Sequence, residues 1–240
     1  MNPATDNPNL RLLEAAAAKL TPLLDQIAFV GGCAAGLLLT DPAAPPVRST
    51  LDVDAIVAIS SYPELVAMEE RLRELGFTQM QGENVPVCRW LSGEVVLDLL
   101  PTDGSVLGFT NRWYAEALAS AQPVPVGDRR IRLITAPYFL ATKFEAFLSR
   151  GQKDYRLSHD LEDIITVIDG RPEVVEEVAQ EGPAVRQYLS AQFSELLADR
   201  DFHEALPGYL LPDEASQLRV GLIMQRMERL VLEGYERASG

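Results

Sequence analysis

The chain is poor in the residues that announce most familiar chemistries. It has two cysteines and two histidines in 240 residues. Cys33 and Cys88 sit in apolar surroundings without C-x-x-C spacing, which argues against a disulfide scaffold and a structural zinc site and makes a reducing compartment the natural reading. Basic residues are scarce as well: 21 Lys and Arg against 35 Asp and Glu give a formal charge of −14. That balance argues against a uniformly basic nucleic-acid binder and against a protein that coats anionic membranes, while leaving room for a local basic site. No stretch approaches the roughly 18 uninterrupted apolar residues of a membrane span. The first nine residues are polar with no basic patch ahead of an apolar run, so the expectation is a cytoplasmic protein without a membrane partner. No G-x-S-x-G elbow, Walker loop or full dinucleotide glycine fingerprint is present either.

What is there is an ordinary globular composition, 47% apolar and 23% charged, enough for one sizeable core or two small ones. The charge is unevenly spread. Residues 1–128 hold 7 basic and 16 acidic residues, residues 129–156 hold 7 and 2, and residues 157–240 hold 7 and 17. A short basic stretch (Arg129, Arg130, Arg132, Lys143, Arg150, Lys153, Arg156) therefore stands between two acidic flanks, either as a solvated face or as a place for an anion.

Apolar periodicity predicts helices over 9–20 and 63–75, strands over 27–31, 51–59, 86–91 and 94–100, with the last two joined as a hairpin through Ser92-Gly93, and a short strand over 130–135. A helix follows from Pro137 to about Ser149. From Ser158 onward the pattern is helical, with breaks at Gly170, Gly182-Pro183 and Pro207 to Pro212. The fold class expected is α+β, with an α/β-like head over 1–135 and a helical part over 136–240 that completes an active-site cleft.

Three patterns carry chemistry. In Phe29-Val30-Gly31-Gly32-Cys33, a strand runs through two glycines into an apolar helix. Such a turn either is a tight connection or lets a phosphate approach backbone N–H groups at a helix start. In Arg48-Ser49-Thr50-Leu51-Asp52-Val53-Asp54, the two carboxylates lie two apart on a strand, on one face and about 7 Å from each other. They run straight into Ile56-Val57, so they would repel one another in a partly desolvated place unless a cation neutralised them, and a divalent metal is the simplest such partner. Asp98 is the one charge inside the apolar strand Val95 to Leu100. It is either an edge-strand charge or a third carboxylate brought against the pair by strand pairing, and three such groups can hold two metal ions.

The run Gly31-Gly32, Arg48-x-Thr50-x-Asp52-Val53-Asp54 and a lone strand Asp98 resembles the nucleotidyltransferase superfamily related to DNA polymerase β. The gap from Gly32 to Asp52 is longer than usual there, through the Pro-rich stretch Asp41 to Val47, and the second small residue is Gly where Ser is more usual. A later block, Ala136-Pro137-Tyr138-Phe139-Leu140-Ala141-Thr142-Lys143, then Arg150-Gly151, then Ser158-His159-Asp160-Leu161-Glu162-Asp163, is similar to the AbiEii/AbiGii-type toxin-like nucleotidyltransferases. The similarity spans roughly residues 25–170, and it departs from the family in having His159-Asp160 where Arg-Asp is more usual.

The resemblance implies a mixed sheet flanked by helices, with a helical C-terminal part, and an enzyme that moves a nucleoside monophosphate from a triphosphate to an acceptor hydroxyl. It implies Asp52, Asp54 and Asp98 as ligands of a Mg²⁺ pair, with Asp98 also positioning or deprotonating the acceptor. Gly31, Gly32, Arg48, Thr50 and Lys143 would bind the nucleotide, and Asp160 or Asp163 would orient Lys143 or the acceptor. Read without the resemblance, Lys143 is a lone cation in an aromatic helix that wants an anion or snorkels to solvent, and Asp160 and Asp163 also suit a helix start behind the Ser158 cap. RNA, a tRNA end in particular, and a cognate antitoxin are the partners implied. A small hydroxylated acceptor of the antibiotic-modifying kind, or a non-catalytic nucleotide-binding protein, are the competing readings.

Overall fold

The computed structural model describes residues 7–150 and 154–235, in two compact units. One comprises residues up to Gly36 together with Arg48–Thr135; the other comprises Leu37–Val47 and the chain from Ala136 onward. Lys153 lies outside the described residues.

The first unit is built on a mixed sheet. The chain enters through α1 (Pro8–Lys19), with Asn7 capping its first turn and Pro8 at a position where no amide donor is needed. It continues through β1 (Ile27–Val30), α2 (Gly31–Leu38), β2 (Val53–Val57), α3 (Tyr62–Glu74), β3 (Thr78–Gln79), β4 (Arg89–Ser92) and β5 (Val95–Pro101). Two short helices, α4 (Gly104–Leu107) and α5 (Tyr114–Ser120), lead to β6 (Gln122–Val126) and β7 (Arg129–Leu133). The seven strands lie in the order β3-β4-β5-β2-β1-β7-β6. β2 runs parallel to β5 and β1 parallel to β7, while β1–β2, β3–β4, β4–β5 and β6–β7 are antiparallel.

The central strands explain their own composition. β1 is buried at all four positions, and β5 at six of seven, because both faces of the sheet are covered. Strands in that situation read as continuous apolar runs instead of alternating ones. Asp98 is thus a buried charge in a near-central strand, and the edge-strand alternative does not hold. β6, with Pro123 and Pro125, is an edge strand, where a missing amide donor is tolerated.

The second unit is helical: α6 (Ala136–Arg150), α7 (His159–Gly170), α8 (Val174–Gln180), α9 (Pro183–Ala198), α10 (Arg200–Ala205) and α11 (Glu214–Tyr235). Ser158 caps α7 by accepting from the Leu161 amide at 3.3 Å. Leu161, Ile164, Ile165 and Ile168 then fall on one face at helical spacing and are buried. Phe144 of α6 meets Phe193 of α9 edge to face, with ring centres 5.0 Å apart. The segment 37–47 is fastened to these helices: the Gly170 carbonyl accepts from the Thr40 and Asp41 amides, both at 3.0 Å. Arg219 joins Asp41 to the buried Asp169, and Arg171 donates to the Leu38 carbonyl. The α+β class, the mixed sheet and the helical C-terminal part are all as the sequence leads one to expect.

Candidate active site

The Gly31 turn and the first aspartate pair are one piece of local structure. β1 pairs antiparallel with β2 so that Val30 lies opposite Asp54. The chain then turns at Gly31, whose φ of +77° is in the left-handed region, and begins α2. A side chain at Gly31 would have its Cβ only 1.9 Å from Asp54 Oδ2 and 2.7 Å from its Cγ. The turn therefore needs glycine twice over, for its backbone and for the carboxylate lying against it. The Asp54 carboxylate is thereby fixed beside the first turn of a helix, where backbone amides lack intrahelical partners.

Strand pairing brings the third carboxylate to the same level. Asp54 and Asp98 are direct partners on the parallel strands β2 and β5. Across the next pairing, Arg89 of β4 faces Asp98. Its Nε donates to Asp98 Oδ1 at 2.8 Å and its Nη2 to Asp98 Oδ2 at 2.7 Å, a two-pronged contact. The same Nη2 donates to Asp52 Oδ2 at 2.7 Å, and the Thr50 hydroxyl donates to Asp52 Oδ1 at 2.8 Å. These hydrogen bonds to Asp98 hold the Arg89 guanidinium pKa above its ordinary value, against the opposing effect of burial, so it stays charged.

Arg89 and Asn9 are residues of the candidate site that the motifs do not reveal. Asn9, 2% exposed, donates its side-chain amide to the Arg48 carbonyl at 2.8 Å and accepts from the Thr50 amide at 3.1 Å. Its own carbonyl lies 3.4 Å from the Cys33 thiol. One side chain at the start of α1 thus sets the path of Arg48 to Thr50 into the aspartate strand. The sequence sets the β4–β5 turn at Ser92-Gly93; the structure has it one residue later, at Gly93-Glu94, which pairs Ser92 with Val95 and so sets Arg89 opposite Asp98, a register the expected turn would have missed. Asn9 left no local signal.

The two cysteines report on the same electrostatics. Burial first, and then the nearby Asp54 and Asp52, push the Cys33 thiol up to about 12. Burial and then Asp98 push Cys88 up to about 12. Both are neutral, inert thiols at physiological pH.

As a donor set, Asp52, Asp54 and Asp98 suit Mg²⁺, which prefers carboxylate oxygens. Asp54 lies against the Gly31 turn. Among the described residues, however, no three His, Cys, Asp or Glu side chains are gathered as a ready metal site. Both oxygens of Asp98 and one of Asp52 accept from Arg89.

The remaining candidate residues lie in the helical unit. Lys143 on α6 has its Nζ 2.7 Å from Asp163 Oδ2 and 3.2 Å from Asp160 Oδ1, both on α7. All three side chains are largely buried, and Arg150 Nη2 donates to both oxygens of Asp160, at 2.9 and 3.1 Å. Lys143 Nζ also lies 5.9 Å from the centre of the Phe139 ring. Asp160 and Asp163 thus serve as more than helix-start charge, because they hold a buried cation.

The basic stretch is divided by the fold. Arg129, Arg130 and Arg132 belong to β7, and Arg132 spends its guanidinium on the Asp25 and Leu118 carbonyls. Arg129 is bound to Thr21 and Asp128. His159 contacts Glu162, and His203 contacts the Leu197 carbonyl.

No family model and no curated protein matches the chain. Its fold is similar to solved structures at low identity. An antigenic nucleotidyltransferase-like protein from Paracoccidioides brasiliensis is 19% identical over 84% of this chain and 93% of its own, with a TM-score of 0.47. The antibiotic-resistance factor ANT(2'')-Ia is 16% identical over 83% and 98%, with a TM-score of 0.46. JHP933 from Helicobacter pylori is 11% identical over 96% of each chain, with a TM-score of 0.49.

Proposed function

We propose that the chain is a nucleotidyltransferase that moves a nucleoside monophosphate from a triphosphate to an acceptor hydroxyl. The observation that carries this reading is the Gly31–Asp54 cradle: a carboxylate pressed against a glycine turn at a helix start, level with a second carboxylate on the neighbouring strand. A glycine there leaves backbone amides open to a phosphate, while the aspartates beside it suit the Mg²⁺ that accompanies a triphosphate.

In the reaction, the acceptor oxygen bonds to the α-phosphorus as the bond from that phosphorus to the bridging oxygen breaks, and pyrophosphate leaves with the electron pair. Mg²⁺, held by Asp52 and Asp54, would supply charge neutralisation at the α-phosphate. The Gly31-Gly32 turn, Arg48 and Thr50 would hold the phosphates and order the strand beneath them. Asp98 has one bond from Arg89 on each oxygen, so it would hold that arginine and use a remaining lone pair to accept the acceptor's proton. Within the helical unit, Asp163 and Asp160 would orient Lys143.

An RNA end is the acceptor proposed, with few phosphate contacts, since the chain carries −14 and Arg129, Arg132 and Arg150 are engaged internally. A small hydroxylated acceptor is the second reading, favoured by that same shortage of free cations. Binding that weakens steeply between 50 and 200 mM salt would select RNA, and salt-insensitive binding the small molecule. A toxin-like role with an antitoxin partner predicts growth arrest on expression that Asp54→Asn relieves.

Purified protein incubated with total RNA and each labelled triphosphate tests the central reading. Asp52→Ala and Asp54→Ala are expected to abolish label transfer while the circular dichroism spectrum stays unchanged. Undiminished transfer by both variants refutes it, and triphosphate binding without any transfer would leave a non-catalytic nucleotide-binding protein.

A further inference from the structure

Arg89 has more donors than the sheet uses. A guanidinium carries five N–H groups, one on Nε and two on each terminal nitrogen. Nε donates to Asp98 Oδ1, and Nη2 donates to Asp98 Oδ2 and Asp52 Oδ2, all at 2.7 to 2.8 Å. Three donors are thereby spent, and Nη1 meets no acceptor among the described residues. The side chain is 26% exposed, and Nη1 is not among the buried polar atoms left without a partner, so this end of the fork reaches solvent. The rest of the group is held still. Arg89 and Asp98 are cross-strand partners on β5 and β4, and the two-pronged contact fixes the guanidinium plane. Nη1 shares its carbon with Nη2, whose bond to Asp52 keeps the open end beside that carboxylate. A group held by other contacts and still carrying unspent donors is preorganised: it can meet a developing negative charge without moving. Beside carboxylates that suit Mg²⁺, the ligand such donors fit is a phosphate oxygen.

We infer that Arg89 is a catalytic residue of nucleotidyl transfer, whose Nη1 donates to a non-bridging oxygen of the α-phosphate. The acceptor oxygen bonds to the α-phosphorus, the bond to the bridging oxygen breaks, and pyrophosphate leaves with the electron pair. The negative charge on the non-bridging oxygens is then met by N–H groups already in place. Arg89 keeps its protons throughout and acts by charge and hydrogen bonding. This inference rests on the nucleotidyl-transfer reading of the same site.

The test uses the full chain with total RNA and labelled α-thiotriphosphates, the two diastereomers taken separately, since each puts sulfur in place of one non-bridging oxygen. Sulfur accepts hydrogen bonds poorly. The wild type is therefore expected to use one diastereomer about tenfold more slowly than the oxygen triphosphate, with Mg²⁺ and with Mn²⁺ alike. Arg89→Lys keeps the charge and loses the fork. It is expected to lower kcat on the oxygen substrate by about a hundredfold and to erase most of that sulfur penalty. Its affinities for Mn²⁺, by electron paramagnetic resonance, and for a non-hydrolysable α,β-methylene triphosphate, by calorimetry, are expected to stay close to those of the wild type. Should Arg89→Lys fail to fold, Arg89→Gln takes its place with the same expected loss of the sulfur penalty. A variant that keeps the wild-type kcat, or keeps the full sulfur penalty, overturns the assignment; in the second case a fall in Mn²⁺ affinity would make Arg89 a positioning residue. No transfer by the wild type from any triphosphate brings down the nucleotidyl-transfer reading itself, and this inference with it.

Discussion

Replacing Gly31 by alanine separates two effects that the structure superimposes. The first is backbone strain, since a φ of +77° costs an L-residue about 1–2 kcal/mol. The second is steric: the new Cβ would stand 1.9 Å from Asp54 Oδ2, so the carboxylate must retreat by at least 1.1 Å to reach even 3.0 Å. Gly93 isolates the first effect. Its φ is +59°, and a Cβ there meets nothing within 4 Å, so Gly93→Ala carries strain alone. Urea denaturation should therefore show Gly93→Ala destabilised by about 1–2 kcal/mol and Gly31→Ala by more. The functional consequence is sharper, because misplacing a reacting group by about 1 Å commonly costs on the order of a hundredfold in rate. Gly31→Ala should fold, bind Mn²⁺ at least tenfold more weakly and lose most label transfer, while Gly93→Ala keeps both. If the two variants match in stability, Mn²⁺ affinity and transfer, the cradle plays no part in the site and the reasoning fails.

Other outcomes follow from single contacts. Asn9→Ala removes the partners of the Arg48 carbonyl and the Thr50 amide and is expected to cost about 1–3 kcal/mol in urea denaturation; a loss below 0.5 kcal/mol would contradict that role. Asp169→Ala leaves Arg219 with Asp41 but without its buried partner and is expected to cost about 1–3 kcal/mol by the same measurement, and an unchanged midpoint would refute it. Asp41 has its pKa lowered, first by the hydrogen bond from Arg219 and then by the Ala43 amide. A carboxylate depressed in the folded state stabilises above its unfolded pKa of about 3.9 and loses that contribution as pH falls through the folded value. The stability difference between wild type and Asp41→Asn should thus be constant from pH 5 to 8 and shrink below pH 4; a gap that widens in acid reverses the sign and the argument. Cys33 and Cys88, buried and pushed up to about 12, should resist a disulfide reagent at pH 8 and both react in urea, and stoichiometric labelling of the native protein would be the contrary result.

The readable parts of the sequence were those in which a few neighbouring residues carry the whole physical reason. Asp52 and Asp54 could be placed on one face from spacing alone, and the breaks at Gly170, Gly182-Pro183 and Pro207 recur in the structure between helices. β6 escaped notice because Pro123 and Pro125 speak against a strand, and only its position at the sheet edge makes them acceptable. The short helices α4 and α5 carry too few residues for a periodicity to emerge. At the site, the cation on Asp52 and Asp98 depends on a hairpin register one residue away from the Ser92-Gly93 turn, a slip that turns every side chain to the other face. The Asn9 contacts cross 39 and 41 positions of sequence, which no local pattern encodes.

The fastening of residues 37–47 to the helices has a bearing on the order in which the protein can be made. Asp41 and Arg219 are separated by 178 positions, and Leu38 and Arg171 by 133, so the segment waits for partners synthesised long after it. The strands β1 to β7 are complete by residue 133 and need no such delay. Closing so long a loop comes with an entropic cost and slows folding. A nascent chain stalled after α9 is therefore expected to protect its strands from protease while Thr40 to Val47 remains cleavable, and release of the full chain should remove that sensitivity.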